Sequence, residues 1–493
     1  MELNGSIVES LENKSILVTG STGFLAKIFV EKVLRVQPNV KRFYLLLRAT
    51  DAASATHRLH NEVIGKEVFR VMKEKYCERF NSFISEKVTL VAGDAACVNL
   101  GIQDFDLREK IWREVDVVAN FAATTNFYDR YDVALGTNTL GAKYVFDFAK
   151  KCEKLEMLLH VSTAYVCGEK AGLILEKPLK MGETLNGTSS GLDIEVELKL
   201  VEERLNELKA KQVSKKQETE AMKELGLQRA RLFGWPNTYV FTKAMGEMVI
   251  GHLRGNLPLV ILRPTIVTST YKEPFPGWIE GVRTVDSFIV GCGNGKLKCF
   301  LGNPETIMDV IPGDMVVNAA IVTMVIHANQ PSQFIYQVGS SKRAPMNSVK
   351  LRDYAYHYFS KNPLMSKDGK LVKVAKPVLF PTMTSFRRYL DVNYMVPLKG
   401  LQLVNAIFCQ YFGDICSDME RKINFVIRLV ELYEPYILFK GKFDDLNSEK
   451  LRVEVKKANE AEANTFYFDP KCIHWDDYFM NIHIPGLVKY VIN

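Results

Sequence analysis

Short unbroken apolar runs alternate with longer stretches of helical periodicity through the first part of the chain. The runs are Ile16 to Val18, Phe43 to Leu47, KVTLVAGDA ending at Asp94, Val117 to Ala119, MLLHVSTAYV, and Leu259 to Arg263. A strand buried on both faces reads as such a run, because neither face can be polar. Between them lie apolar positions at helical spacing: Leu25, Val30 and Val33, then Ser54 to Phe83, then TNTLGAKYVFDFAKKC, then the stretch around Tyr239. Strands alternating with helices predict an α/β fold, a doubly wound parallel sheet with helices on both faces, whose ligand crevice lies at the carboxyl ends of the strands.

The alternation stops between Cys167 and Gly234. This insertion, about 170–233, carries a charged segment from Glu195 to Arg231 with Leu198, Val201, Leu205 and Leu208 near helical spacing. It reads as a solvated helical excursion; the alternative is a lid over a long substrate. A boundary is expected near 360, in a region with several prolines and the basic stretch SKDGKLVKVAK. That divides the chain into 1–360 and a mostly helical 361–493, whose apolar stretches Leu401–Phe412 and Ile423–Phe439 are expected to pack on the first unit. A membrane-surface role for them is the alternative.

Composition narrows the picture. With 493 residues, 47% hydrophobic and 25% charged, the chain has ample material for a core. Its net charge of +7, from 64 basic and 57 acidic residues, is too diffuse to argue for nucleic acid, though it favours a polyanionic ligand. The nine cysteines show neither a CxxC pair nor zinc spacing, which fits reduced thiols, and no metal is expected. No basic-then-apolar leader precedes Ser15, so neither a signal nor a transit peptide is expected. The glycosylation-like triplets at Asn4, Asn13 and Asn186 are accordingly expected to be silent. Apolar stretches fall short of the roughly 20 residues of a membrane span.

The candidate chemistry falls at the strand ends. The first run is cut by Thr19 and Gly20 and leads into Gly20-x-x-Gly23-x-x-Ala26, a relative of the dinucleotide fingerprint: a turn that lets a phosphate approach the backbone at a helix amino end. The second run ends at Arg48, where a basic residue accommodates the extra phosphate of NADP, so the expected cofactor is NADPH. Asp94 ends the third run, and the small residues Ala122 and Ala123 follow the fourth, leaving room for a flat ligand. Asn138 on the next helix joins the expected cofactor-facing set.

Tyr239 and Lys243, in GWPNTYVFTKAMGE, share one helical face. A free tyrosine, with a pKa of about 10, is a poor acid at neutral pH. A nearby ammonium makes it a better one, and a hydroxyl at Thr163 or Ser162 can hold the substrate oxygen. His160 and the other histidines read as structural, as does Cys167, the one thiol near enough for acyl-cysteine chemistry.

At these residues the sequence resembles the extended short-chain dehydrogenase/reductases, and more closely the plant alcohol-forming fatty acyl-CoA reductases. The segments TGSTGFLAKIFVEKVLR, YLLLRA, HVSTAYVCGEK, GWPNTYVFTKAMGEM, EPFPGWIEGVRT and MDVIPGDMVVNA carry the resemblance, with FYFDP and HIPG in the tail. It implies that Thr19, Gly20, Ser21, Thr22, Gly23, Phe24 and Leu25 hold the pyrophosphate, Arg48 the 2′-phosphate and Asp94 the adenine. Ala122 and Ala123 would lie against the nucleotide, with Pro264 and Thr265 beside the nicotinamide. Tyr239 would be the proton donor and Lys243 would bind the ribose. Thr163 would orient the carbonyl, with Ser162 as the alternative. The sequence departs from the family's usual NFDERYD at NFYDRYD. The implied activity is two-step reduction of a long-chain or very-long-chain acyl-CoA to a primary alcohol for wax, cuticle or suberin-type lipids, at the cytosolic face of the endoplasmic reticulum or in the cytoplasm. Rival readings are an NADP-dependent enzyme with a non-acyl substrate, an aldehyde-releasing reductase, and a non-catalytic NADPH-binding scaffold.

Overall fold

A computed structural model describes residues 5–49, 51–188, 191–407 and 413–492. Asn4, Cys409 and the end of the expected Leu401–Phe412 helix lie outside them. The six apolar runs form strands β1 (Ser15–Thr19), β2 (Arg42–Leu47), β3 (Val88–Ala92), β4 (Val117–Asn120), β5 (Met157–Val161) and β6 (Leu259–Pro264). A further strand, β7 (Gln333–Val338), extends the sheet. Among the described residues these make one parallel sheet of order β3-β2-β1-β4-β5-β6-β7. β1 is buried along its length, as a central strand covered on both faces must be. The order reverses between β1 and β4, where Thr19 pairs with Asn120, and the ligand crevice of such a sheet opens there.

Helix α1 (Phe24–Val36) leaves the first turn with its charged side chains as buried as its apolar ones. Burial of Lys27 and Lys32 is tolerable because each has an acidic partner: Lys27 pairs with Glu280, Lys32 with Glu273, and Arg35 with Glu31 at 2.8 Å. Two of these carboxylates belong to the EPFPGWIEG segment, so that segment is strapped across α1 beside the crevice. The Ser54–Phe83 stretch folds as a broken series of short helical turns rather than one helix. In the insertion, α2 (Ile194–Ala210) and α3 (Lys215–Leu232) are joined by the buried carboxylate of Glu197, which accepts from Arg229 and from Tyr131 Oη at 2.7 Å.

Helix α4 (Thr238–Leu253) starts at Asn237, whose Oδ1 accepts from the Val240 amide at 3.1 Å. It is buried nearly all round and lies so close to the Leu135–Leu140 segment that a Cβ at Gly246 would sit 2.4 Å from the Asn138 carbonyl oxygen. Glycine there sets the depth at which α4 carries its side chains.

The tail is threaded into the rest of the molecule. Gly441–Phe443 pairs in parallel with Gly172–Ile174, and Val378–Phe380 with Cys299–Leu301. The Ser269 amide donates to His483 Nδ1 at 3.3 Å, which leaves the ring proton on Nε2, 3.0 Å from Asp286 Oδ1. Tyr478 Oη donates to the Ser269 carbonyl at 2.8 Å. Helix α5 (Gly413–Ile437) brings its carboxyl end to the crevice. Among the described residues no helix is long and apolar enough to cross a membrane.

Candidate active site

The amino end of the crevice is a turn that only glycine can make. Gly20 has φ +67°, and a Cβ there would lie 2.7 Å from backbone atoms of Phe121 and Ala122. The Gly23 amide closes the turn onto the Gly20 carbonyl at 2.8 Å, and Gly23 caps α1 without a side chain. The first-turn amides of α1 have no partner within the helix, and Gly23, Phe24, Leu25 and Ala26 line a cavity of about 560 Å³. These amides at a helix's positive end, with no side-chain cap bonded to them, fit a pyrophosphate. Thr19 and Ser21 are spent inside the turn: Thr19 Oγ1 donates to Asn120 Oδ1 at 2.6 Å and Ser21 Oγ to the Val18 carbonyl at 3.0 Å. Thr22 is half-buried in the same turn.

Arg48 is exposed beyond the end of β2 with its Nε 3.3 Å from Asp94 Oδ2, so the two residues meet as the sequence suggests. Ala123 lines the cavity, and the Ala122 amide donates to Asn120 Oδ1 at 3.2 Å. Asn138 belongs elsewhere. Its Oδ1 accepts from the Thr124 amide at 3.0 Å, and its Nδ2 donates to the Thr124 carbonyl and to Thr242 Oγ1. With its amide consumed, Asn138 braces α4 against the loop after β4 and does not line the cavity.

At the other end of the cavity stand Tyr239, Lys243, Ser162, Thr163, Pro264 and Thr265. Burial pushes the Tyr239 phenol up to about 12, against the neighbouring Thr163 hydroxyl and the Arg283 charge, which pull the other way. Ser162 Oγ is buried with no partner among the described residues, and of the two adjacent hydroxyls it is Thr163 whose influence reaches the tyrosine. Thr265 Oγ1 donates to the buried Asp309 carboxylate at 2.8 Å, which fixes this part of the wall. Burial brings Lys243 down to about 8, opposed by Glu247 one helical turn on. Cys167 is buried and its thiol is pushed up to about 12, the opposite of what a nucleophilic thiol needs.

His160, read from sequence as structural, touches the lysine. Lys243 Nζ donates to the Val161 carbonyl at 2.8 Å and lies 3.3 Å from His160 Nε2. His160 Nδ1 in turn accepts from Asn120 Nδ2 at 3.0 Å, while Asn120 Oδ1 takes the Thr19 hydroxyl. One buried chain thus runs from the glycine turn through Asn120 and His160 to Lys243. Its signal in the sequence was faint: His160 stands two residues before Ser162, a spacing that puts both on one face of a strand.

The tail supplies the third wall. Leu432, Tyr433 and Tyr436 of α5 line the cavity opposite Tyr239. Phe127 stacks on Tyr436 with ring centroids 4.8 Å apart and on Tyr239 at 5.8 Å. A smaller, almost wholly apolar cavity adjoins this wall across Ile266, Thr284, Tyr433 and Tyr436, lined further in by Phe288, Phe300, Leu351 and Leu379. No residue of α2 or α3 lines either cavity.

Two family models, each described as "Male sterility protein", match this architecture: an NAD-binding model over residues 18–320 and a Sterile model over 393–493. An alcohol-forming fatty acyl-CoA reductase of Simmondsia chinensis is 56% identical over 495 residues, covering 100% of both chains. The chain belongs to the fatty acyl-CoA reductases. Fatty acyl-CoA reductase 1 of Arabidopsis thaliana is 50% identical over 492 residues, with 99% of this chain and 100% of that one covered. Fold likeness reaches further. The terminal R domain of the myxalamid biosynthetic pathway superposes with a TM-score of 0.56 at 15% identity, over 99% of this chain and 92% of that one. As a reductase with an NAD-binding domain, the protein takes a nicotinamide cofactor.

Proposed function

We propose that this protein reduces long-chain or very-long-chain fatty acyl-CoA to the primary fatty alcohol with NADPH, and that Tyr239, Thr163 and Lys243 carry the chemistry. The observation that bears most weight is the meeting, in one cavity, of a glycine turn with open helix amides and a half-buried tyrosine that shares the lining with Thr163 and Lys243. Thr19 to Leu25 would hold the pyrophosphate, Ala122 and Ala123 the nucleotide's flat face, and Pro264 and Thr265 the nicotinamide. Bound there, NADPH supplies one hydride to the thioester carbonyl carbon and, from a second molecule, one to the aldehyde.

Tyr239 and Thr163 hold the carbonyl oxygen and stabilise the charge that develops on it. Collapse of that oxyanion breaks the C–S bond and releases CoA. When the aldehyde is reduced, Tyr239 gives its proton to the alkoxide; a phenol near 12 is fully protonated at neutral pH and ready to do so. Lys243, held by the Val161 carbonyl, supplies the positive charge that eases this transfer. The apolar cavity beyond Tyr433 and Tyr436 suits the start of an alkyl chain. In this reading residues 1–360 form the reductase domain, and 361–493 close the substrate side of it. The alcohols would serve wax, cuticle or suberin-type lipids, made at the cytosolic face of the endoplasmic reticulum. Gas chromatography of incubations with NADPH and a saturated acyl-CoA series is expected to show primary alcohol from one or two chain lengths; no product at any length would sink the reading.

NADPH, rather than NADH, is supported by Arg48, which is exposed just beyond the end of β2 with its Nε 3.3 Å from Asp94 Oδ2. Arg48→Ala is expected to weaken NADPH binding about 10- to 100-fold and leave NADH binding nearly unchanged, since one charge-assisted phosphate contact contributes about 1.5–3 kcal/mol. Equal losses for both cofactors, by fluorescence titration, would remove the residue from that role.

The pH profile has a definite sign. A lysine titrating at about 8 is charged below that value and neutral above it. Log kcat/KM for NADPH is therefore expected to be level below about pH 8 and to fall above it, because this quantity reports the free enzyme. A rise across pH 8 to 9 would mean that neutral Lys243 is the working form.

A further inference from the structure

Tyr436, far from the other reacting groups in sequence, has the geometry of a third hydrogen-bond donor. Its side chain is buried, and its oxygen accepts from Asn237 Nδ2 at 2.7 Å. The direction of that bond is fixed from the other side. Asn237 Oδ1 accepts the Val240 amide as the cap of α4, so Nδ2 is the atom that faces Tyr436, and Nδ2 can only donate. The phenolic proton of Tyr436 must then point elsewhere, and no acceptor for it exists among the described residues. The residue lines the reaction cavity together with Tyr239 and Thr163, and it also lines the apolar cavity beyond. Phe127 stacks on it on one side, and Tyr165 meets it edge-on at 4.8 Å, so the ring has little freedom to turn its hydroxyl away. Burial, reinforced by Tyr239, holds the Tyr436 phenol protonated.

An O–H donor that the protein leaves unspent on a cavity wall is available to an acceptor on a bound ligand. The ligand atom that reaches this point must be an acceptor attached to an apolar body, because one step further the walls are Phe288, Phe300 and Leu351. A thioester carbonyl oxygen at the head of an alkyl chain meets both conditions. We infer that Tyr436, from the tail of the chain, donates a hydrogen bond to the substrate carbonyl oxygen alongside Tyr239 and Thr163, and so is a catalytic residue. It transfers no proton; it stabilises the charge that grows on that oxygen as the carbonyl is reduced. The inference rests on the function proposed above and adds that the cavity's donor set is incomplete without α5.

Tyr436→Phe keeps the ring and its stacking and removes only the hydroxyl. With purified full-length protein it is expected to lower kcat for alcohol formation about 10- to 100-fold, as removal of one donor to a developing oxyanion does, with KM for acyl-CoA and the NADPH dissociation constant within threefold of wild type. The same loss is expected when a fatty aldehyde is supplied, since its oxygen occupies the same position. A residue that merely braced Asn237 would instead lower the unfolding temperature and NADPH binding together, with kcat per folded molecule unchanged. If Tyr436→Phe does not fold, a fluorotyrosine at position 436, which keeps the shape and makes the phenol more acidic, is expected to change kcat without changing the unfolding temperature. An unchanged kcat in whichever of these variants folds would overturn the inference. Wild-type protein that makes no alcohol would overturn the proposed function first, and the two failures are told apart by that control.

Discussion

Tyr239→Phe is expected to abolish alcohol formation for practical purposes, with kcat/KM for acyl-CoA lowered by about 10²–10⁴-fold, the range that a positioned proton donor contributes. The substitution removes one oxygen from the cavity and leaves the ring, which keeps its stacking against Phe127 at 5.8 Å. Folding should survive: a single hydrogen bond contributes about 1 kcal/mol at most to stability, and desolvation of the phenol is relieved at the same time. NADPH binding should be nearly intact, because the pyrophosphate cradle and Lys243 are untouched. The diagnostic pattern is thus a protein of near-normal unfolding temperature that binds NADPH and makes neither alcohol nor aldehyde. Retention of more than a tenth of wild-type activity would mean that another group supplies the proton.

The second large effect is at the other end of the cavity. Gly20→Ala should cost the protein its cofactor. The added Cβ would lie 2.7 Å from backbone atoms of Phe121 and Ala122, and backbone, unlike the end of a side chain, has nowhere to go without disturbing the pairing of β1 with β4. The residue's φ of +67° adds roughly 1–2 kcal/mol for any residue with a Cβ. Relief by flattening the turn would move the Gly23 amide off the Gly20 carbonyl and tilt the start of α1 away from the phosphates. NADPH affinity is expected to fall more than 100-fold, with a clear drop in unfolding temperature by differential scanning fluorimetry. Affinity within threefold of wild type would show that the turn is softer than its contacts imply.

These two residues also mark what the sequence could disclose. Gly20 and the strand runs were legible because backbone geometry and burial on both faces restrict composition locally, and six of the seven strands follow directly from apolar runs. β7, Gln333–Val338, is hidden in the sequence because the buried Gln337, whose Nε2 donates to the Ile174 carbonyl at 3.3 Å, splits its apolar run. Tyr239 and Lys243 were legible because helical spacing places them side by side. Asn138 was assigned to the cofactor from its place in order along the chain, but whether an amide faces a ligand or a neighbouring helix depends on how closely the two helices pack, which here is set by Gly246, more than 100 residues away. Phe127, Tyr433 and Tyr436 carried no local signature at all. Their convergence depends on the tail folding back over the sheet, through pairings such as Gly441–Phe443 with Gly172–Ile174. His160 lay between these cases: visible on the correct strand face, yet without a partner until Asn120 and Lys243 were brought to it.

The claim that one cavity carries an acyl-CoA through both reductions to the alcohol is tested most directly by stoichiometry. With purified wild-type protein, limiting acyl-CoA and excess NADPH, NADPH oxidation followed at 340 nm is to be compared with free CoA titrated by a thiol reagent in the same cuvette. The account predicts about two NADPH oxidised for each CoA released, with no aldehyde accumulating. A ratio of one, with aldehyde as the end product, would contradict it.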